Sequence, residues 1–214
     1  MEVKIIQITK SENKKERYVI HISDGENYEV FSEVLLKFGL RSGDCIDKED
    51  LENMLIENER TRAKNITLRL LAKRMRTKKE LIDKLQQKGF SESVIDYMIQ
   101  ELMRIGLIND EEFTEKYINN SIVLKKPYGK YALGYKLQKL GIQKNIIEQK
   151  LPTLLSENDE YELALNLARK KRALLSKYDE HKKKQRISSF LATRGFNWDI
   201  INKVFTELNF KEDE

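Results

Sequence analysis

The sequence repeats three times around a glycine. When Gly89, Gly141 and Gly195 are aligned, apolar residues recur eight and four positions before the glycine and one, five, six, ten and thirteen positions after it. These residues are Leu81, Leu85, Phe90, Val94, Ile95, Ile99 and Leu102 in the first copy, Leu133, Leu137, Ile142, Ile146, Ile147, Leu151 and Leu154 in the second, and Ile187, Leu191, Phe196, Ile200, Ile201, Phe205 and Leu208 in the third. Apolar residues spaced by four share one helix face, and glycine readily adopts the left-handed conformation that ends a helix. We therefore expect one helix to end at each glycine and another to begin just after it, at Ser91, Gln143 and Asn197.

Each helix pair is preceded by a further segment with helical periodicity. These segments span about residues 60–74, 110–124 and 159–175. Thr77 with Glu80, and Asn109 with Glu112, have the spacing of a capping box at a helix start. The chain is therefore predicted to be mainly α, with three tandem three-helix repeats in an elongated curved array. The predicted repeats span residues 59–108, 109–157 and 158–214.

The first 58 residues follow a different pattern and are predicted to form a small N-terminal domain. Short β-rich segments lie at residues 3–8, 18–22 and 28–30. Asp24-Gly25 between the second and third segments is a strong hairpin signal. We expect an antiparallel β meander that packs on a short helix, capped by Ser32 and ended by Gly39. Asp47 is predicted to cap the helix that follows.

Composition limits the class of protein. The 214 residues include one cysteine, two prolines and two histidines, and 35% of them are charged. A single cysteine excludes a disulfide within the chain and favours a reducing compartment. No segment has the length and apolarity of a membrane span, and the N-terminus does not resemble a secretion signal. We therefore expect a cytoplasmic protein with no membrane contact.

Charge is distributed unevenly along the chain. Residues 1–58 hold eight lysines and arginines against thirteen acidic residues, a net charge of about −5. The remaining residues hold 32 basic against 22 acidic side chains, a net charge of about +10. A basic helical body favours a polyanionic partner, although lysine-rich helices also occur simply as soluble helices.

The sequence lacks the residue combinations that catalysis requires. His21, His181 and Cys45 have no metal-ligand spacing, and no phosphate-binding glycine loop is present. The acidic run at residues 110–112 fits the first turn of a helix, where carboxylates meet the helix dipole favourably. Cys45 is predicted to be structural, and Trp198 to be a packing residue. We expect no catalytic, cofactor-binding or metal-binding residues.

Basic clusters recur where the first helix of each repeat meets the second. The predicted contact residues are Lys73, Arg74, Arg76, Lys78 and Lys79 in the first repeat, Lys125, Lys126 and Lys130 with Tyr128 and Tyr131 in the second, and Arg169, Lys170, Arg172, Lys182, Lys183, Lys184 and Arg186 in the third. The helix dipole also favours cations near a helix C-terminus, which is an alternative explanation for some of them. It does not explain Lys182–Lys184, which are predicted near a helix N-terminus. Recurrence in all three repeats favours contact with a polyanion or an acidic protein surface, and the interleaved tyrosines can stack on bases.

The segment from Arg76 to Ile142 carries a family resemblance. It reads Arg76-x-x-x-Glu80-Leu81-x-x-x-Leu85-x-x-x-Gly89-Phe90, then Leu102-x-x-x-Gly106-Leu107-Ile108-Asn109-Asp110-x-x-Phe113, then Leu133-x-x-x-Leu137-x-x-Leu140-Gly141-Ile142. In order and spacing these motifs resemble the RecX family, and the likeness of the three helical repeats covers residues 60–210. The acidic N-terminal extension resembles that of RecX proteins from Gram-positive bacteria. Thr114 and the segment Lys126-Pro127-Tyr128-Gly129 depart from the family pattern, which commonly has a small residue after the phenylalanine and Lys-Gly-Pro before the second unit.

The resemblance implies a regulator of the RecA recombinase. Family members are understood to lie in the groove of the RecA filament on DNA, where they limit filament growth, ATP turnover, strand exchange and RecA-dependent repressor cleavage. On this basis we expect a non-catalytic, monomeric inhibitor of RecA that binds its filament on single-stranded DNA. It would thereby modulate DNA repair, homologous recombination and the SOS response. Two alternatives remain open: a free-standing DNA-binding protein, and a helical-repeat scaffold for another partner.

Overall fold

The computed structural model describes residues 2–12, 15–123 and 127–210. In these ranges the chain forms ten helices and one four-stranded antiparallel sheet. It divides into two compact units. The first unit comprises Met1–Arg76 with Leu81–Ile108, and the second comprises Thr77–Glu80 with Asn109–Glu214. The mainly helical fold with a small N-terminal sheet confirms the predicted fold class, whereas the division into four domains stays a prediction.

The N-terminal sheet belongs to the first unit. Its strands are β1 (Glu2–Lys10), β2 (Arg17–Ile22), β3 (Asn27–Phe31) and β4 (Cys45–Asp47), in the order β3-β2-β1-β4. The predicted meander is confirmed, and its inward residues include Ile5, Ile20 and Val30. The sequence did not predict β4, in which Ile46 lies opposite Val3 of β1.

The first helix, α1 (Ser32–Phe38), follows directly after the meander. It ends as predicted at Gly39, which has a φ of 65°. The prediction that Ser32 caps this helix is wrong, because Phe31 is the N-cap residue and no side chain caps it. The amide oxygen of Asn58 instead accepts the Phe31 N–H at 3.0 Å. A side chain distant in sequence therefore provides the hydrogen-bond acceptor for the backbone N–H at the end of β3.

The second helix, α2 (Lys48–Leu71), is continuous over 24 residues. Asp47 caps it as predicted and accepts a 2.8 Å hydrogen bond from the Asp50 N–H. Met54 packs in the core under the sheet, and Ala63 packs in the core of the first repeat. The position after residue 58, where a domain boundary was predicted, therefore lies inside a helix and not in a linker.

Eight further helices complete the three repeats. They are α3 (Lys78–Gln86), α4 (Glu92–Arg104), α5 (Asp110–Val123), α6 (Lys130–Lys139), α7 (Lys144–Leu154), α8 (Glu157–Ala173), α9 (Glu180–Thr193) and α10 (Trp198–Glu207). As predicted, the middle helix of each repeat ends at a left-handed glycine, with φ of 76°, 84° and 78° at Gly89, Gly141 and Gly195. The residue after each glycine donates its N–H to the apolar residue four before the glycine, as Phe90 does to Leu85 at 3.3 Å. The three repeats therefore share one helix-turn geometry.

The aligned apolar positions form the core of each repeat. Leu81, Leu133 and Ile187, eight residues before the glycines, have no solvent exposure. The cores of the second and third repeats lie in the second unit, and Leu163 on α8 packs against both. The sequence register therefore identified the buried faces of these short helices.

Two of the predicted capping arrangements are present in whole or in part. The Glu80 N–H donates to Thr77 Oγ1 and the Thr77 N–H donates to Glu80 Oε2, each at 3.2 Å, which confirms the capping box. Asn109 caps α5 by accepting the N–H groups of Glu111 and Glu112 at 3.0 Å. The Glu112 carboxylate forms an ion pair with Lys116 at 2.6 Å. The start of α5 is therefore capped by the Asn109 side chain, and Glu112 is engaged with Lys116 where Glu80 bonds the Thr77 N–H.

Candidate contact surface

The basic residues predicted for the first repeat are divided between the two units. Lys73, Arg74 and Arg76 follow the end of α2 in the first unit, whereas Lys78 and Lys79 begin α3 in the second. Arg76 is half-buried and its Nε donates to the Leu70 carbonyl at 3.3 Å. This bond ties Arg76 to the end of α2, while Lys73 is exposed to solvent.

The basic residues predicted for the second repeat are largely engaged within the fold. Lys125 and Lys126 lie outside the described residues. Lys130 is half-buried, with Nζ 3.8 Å from the carboxylate of the buried Glu160. Tyr128 is half-buried too, and the Lys136 ammonium lies 3.3 Å from its ring centroid. Tyr131 differs from these residues, because 71% of it is exposed.

A cavity of about 670 Å³ lies beside Tyr131 and the exposed Tyr135 in the second unit. Its lining includes Ile147 and Leu151. Its remaining lining carries both signs of charge: Lys130, Lys144, Glu148, Glu157, Glu160 and Asp199. Two lysines against four acidic residues do not favour a polyanion in this cavity.

In the third repeat, the cations at the end of α8 serve different roles. Arg172 is half-buried, donates to the Leu208 carbonyl at 2.8 Å and to Glu180 at 2.9 Å, and stacks over Phe210. It therefore holds the repeat together. Arg169 forms an exposed ion pair with Glu207 at 3.5 Å, and Lys170 is exposed.

The lysines at the start of α9 are accompanied by two acidic residues. Asp179 is the N-cap, and the Lys182 N–H that it accepts lowers the pKa of its carboxyl. Lys183 bonds Glu180 at 2.7 Å and lowers the pKa of that carboxyl in the same way. Two ionised carboxylates thus offset the unfavourable placement of three lysines at the positive end of the helix dipole. The side chain of Lys183 is only 15% exposed, whereas that of Lys182 is 63% exposed.

A groove between α9 and α10 is lined by a lysine and an exposed aromatic ring. We call it the α9–α10 groove; it has a volume of about 360 Å³ and is lined by His181, Lys184, Gln185, Ser188, Trp198, Asn202 and Phe205. The prediction that Trp198 is a packing residue is wrong, since 62% of it is exposed. The buried face of α10 begins at Ile200, so Trp198 in the first turn remains at the edge of the groove. The sequence signal that could have revealed this was its place outside the aligned apolar positions.

The described part of the chain shows no metal centre. In residues 2–12, 15–123 and 127–210, no three histidine, cysteine, aspartate or glutamate side chains are grouped so that they could hold a metal ion. Cys45 is exposed on β4.

Among the helices of these same ranges, none combines the length and the apolar character needed to cross a membrane.

Comparison with known proteins identifies two of the repeats. Residues 63–102 match the model of the first three-helix domain of RecX, and residues 158–205 match that of the third. The chain is 31% identical to the regulatory protein RecX of Clostridium perfringens strain SM101 over 98% of both chains. It is 32% identical to that of Clostridioides difficile strain 630, over 96% of this chain and 97% of the relative.

Solved structures agree with this assignment. A crystal structure of regulatory protein RecX superimposes with a TM-score of 0.73 over 95% of this chain and 99% of that chain, at 23% identity, and shows the shared fold. RecX from Lactobacillus salivarius gives a TM-score of 0.66 at 29% identity, over 72% of this chain and 99% of that chain. Sequence identity over nearly the full length, two matching domain models and the shared fold lead to one conclusion: this chain belongs to the RecX family.

Proposed function

We propose that this chain regulates the RecA recombinase by binding the RecA filament on single-stranded DNA, without catalytic activity of its own. Membership of the RecX family supports this role, since its relatives are named regulatory proteins. The expected effect is inhibition, in which RecA hydrolyses ATP and exchanges strands more slowly. Recombinational DNA repair and the SOS response would then be restrained.

The observation that carries the proposal is the exposed Trp198 beside Lys184 in the α9–α10 groove. Unstacked bases bind aromatic rings by stacking, and phosphates attract lysines. Single-stranded DNA offers both groups along one strand. A groove that combines an aromatic ring with a lysine therefore suits a nucleoprotein filament better than a purely apolar protein surface.

Two more cations lie on α9, outside the lining of this groove. Lys182 pairs with Asp179 at 3.7 Å, and both side chains are more than half exposed. Such exposed pairs contribute little to stability, so a phosphate can replace the carboxylate at small cost. Arg186 is exposed as well, and its guanidinium lies 4.3 Å from the Tyr178 ring centroid. We assign direct contact to Lys182, Lys184 and Arg186, and a supporting role to the more enclosed Arg172 and Lys183.

Steady-state ATP hydrolysis by RecA on single-stranded DNA tests this function. Adding the protein until its effect saturates is expected to slow hydrolysis. Unchanged turnover at saturating protein would contradict inhibition, and faster turnover would make the protein an activator.

The same groove also favours a second candidate, direct DNA binding without RecA. This function predicts tight binding to bare single-stranded DNA that weakens steeply with salt. We expect binding to bare DNA to be weaker than binding to the RecA filament at the same salt concentration. Equal affinity for both would make free-standing DNA binding the better account.

A further inference from the structure

The second and third repeats each carry a carboxylate at an equivalent place. Asp110 and Glu160 stand four residues before Thr114 and Ala164, which have no solvent exposure. Glu59 stands four residues before Ala63, which is also fully buried. Every repeat therefore places an acid one helical turn before a fully buried residue on its first helix.

In the second unit, two of these acids receive the start of another helix. The Lys78 N–H at the start of α3 donates to Asp110 at 2.9 Å, and the Lys130 N–H at the start of α6 donates to Glu160 at 2.8 Å. Lys78 and Lys130 occupy the same register position, since each lies three residues before the aligned Leu81 or Leu133. A backbone N–H at a helix start has no partner within its own helix, so a carboxylate is a favourable acceptor for it.

The glycine turns complete each contact. Thr77 Oγ1 donates to the Leu140 carbonyl at 2.7 Å, and the Gly129 N–H donates to the Arg194 carbonyl at 3.0 Å. Leu140 and Arg194 each precede the aligned glycine. A Cβ built on Gly141 would overlap the Lys79 side chain, and one on Gly195 would overlap Ala132. We call the combination of one first-helix acid and one glycine turn the acceptor pair. In the second and third repeats, the start of a helix occupies it.

The acceptor pair of the first repeat, Glu59 with the Gly89 turn, is open. Within the described ranges, no heavy atom beyond Gly89 and its two chain neighbours lies within 4 Å of a Cβ built on Gly89, and Lys88 and Gly89 are exposed. The residues that precede the other two glycines, and those glycines themselves, are half-buried. Glu59 instead accepts the N–H of Ser91 at 3.0 Å and its hydroxyl at 3.2 Å.

We infer that Glu59 and the Gly89 turn form a docking site for a helix start of a partner protein. The two filled copies define the occupant: a helix whose N-cap residue is Thr or Gly and whose first helical residue is Lys. The lysine is part of the fit, because Lys130 Nζ also lies 3.8 Å from Glu160. A carboxylate and backbone carbonyls repel phosphate, so this site takes a protein helix and not a nucleic acid.

A second copy of this chain does not supply that helix through its third repeat. The register position of Lys78 and Lys130 corresponds to Lys184 there, but α9 begins at Glu180, one turn earlier. The Lys184 N–H therefore lies within the helix, beyond its exposed start. The starts of α3 and α6 are already bound to Asp110 and Glu160 within the chain, so we infer that the docking helix comes from a different protein.

A helix-stapled, fluorescently labelled peptide of residues 75–88 tests the site directly. We expect saturable binding to the full chain by fluorescence anisotropy. The Gly89→Asn variant should abolish binding, because Asn tolerates the left-handed turn yet places a side chain where the helix must approach. Gly39→Asn is the matched control, since Gly39 is also an exposed left-handed helix end with nothing within 4 Å of a Cβ; its binding should equal that of the wild type.

Two more variants test the acid. Glu59→Ala should weaken binding about tenfold, the loss expected for one hydrogen bond to a charged group. Ser91→Ala removes the competing hydroxyl but leaves the carboxylate, so it should bind at least as tightly as the wild type. No saturation up to about 1 mM peptide, or undiminished binding by Gly89→Asn, would overturn the inference. Neither RecA nor DNA is present, so failure here leaves the proposed function standing.

Discussion

The backbone N–H of Lys130 donates a 2.8 Å hydrogen bond to the carboxylate of Glu160, which is only 2% exposed. This bond joins the start of α6 to α8 within the second unit. The Glu160→Ala variant should lose about 1–3 kcal/mol of unfolding free energy, because the N–H of Lys130 is left without an acceptor. Urea denaturation measures the loss. Glu162→Ala, an exposed position on the same helix, should change the unfolding free energy by less than about 0.5 kcal/mol.

The same carboxylate should make stability depend on pH. Burial raises the pKa of Glu160 above its ordinary value of 4.5, Glu157 adds to this effect, and hydrogen bonding and charge from Lys130 oppose it. An acid with a raised pKa binds its proton more tightly in the folded chain than in the unfolded chain. The free energy of unfolding therefore falls as the pH rises from the pKa of the unfolded chain through that of the folded chain. Glu160→Gln cannot titrate. We expect the unfolding free energy of the wild type, relative to this variant, to fall as the pH rises above 4.5.

If the unfolding free energies of the wild type and Glu160→Gln changed in parallel above pH 4.5, the raised pKa of Glu160 would be refuted. The comparison with the variant is needed because Glu157, Asp179 and Glu180 have lowered pKa values, which act in the opposite direction in both proteins.

Replacing Gly129, the N-cap of α6, and Gly134, inside α6, by alanine should change stability in opposite directions. A Cβ on Gly129 would overlap the carbonyl of Gly195, so Gly129→Ala should destabilise the chain by about 1–3 kcal/mol. A Cβ on Gly134, inside the helix, would lie 3.7 Å from Ile147 and from Leu151, an ordinary contact distance. Gly134→Ala should therefore stabilise the chain by about 0.5–1 kcal/mol. Thermal unfolding of both variants checks the pair, and equal effects would show that Gly129 and Gly195 are not in close contact.

The single tryptophan reports on the α9–α10 groove. Because 62% of Trp198 is exposed, Trp198→Ala should leave the unfolding free energy within about 0.5 kcal/mol of the wild type. Its affinity for RecA filaments on single-stranded DNA should fall about tenfold, as expected when one stacked base is lost. Filament binding should also change the fluorescence of the wild-type protein. Full affinity in the variant would remove Trp198 from the contact surface.

Local signals made much of this fold predictable. The stop at Gly89 depends on a left-handed residue and on Leu85 four positions earlier, so a short stretch of sequence encodes it. Strand β4 was missed because it is three residues long with one buried residue, Ile46, which is too short to show a repeated alternation. The predicted cap at Ser32 was wrong because Ser32 is already helical: the extended residue before the helix is Phe31, whose side chain cannot cap.

The contact surface was less predictable than the fold. The sequence shows where lysines cluster, but it does not show which of them meet an acid from another helix. Lys130 reaches Glu160, and Arg172 reaches Glu180 and the Leu208 carbonyl. These partners lie between 8 and 36 residues away, so only the folded chain separates enclosed cations from the exposed Lys182.

Strand exchange by RecA, titrated with this protein, tests the central proposal most directly. The wild type should inhibit exchange with a defined midpoint. The double variant Lys182→Glu/Arg186→Glu should need about tenfold more protein, because charge reversal repels the phosphates that these two side chains are proposed to meet. Lys10→Glu/Lys48→Glu, which reverses two exposed charges in the first unit, is the matched control and should keep the wild-type midpoint. An α9 double variant that inhibits as well as the wild type would contradict the account.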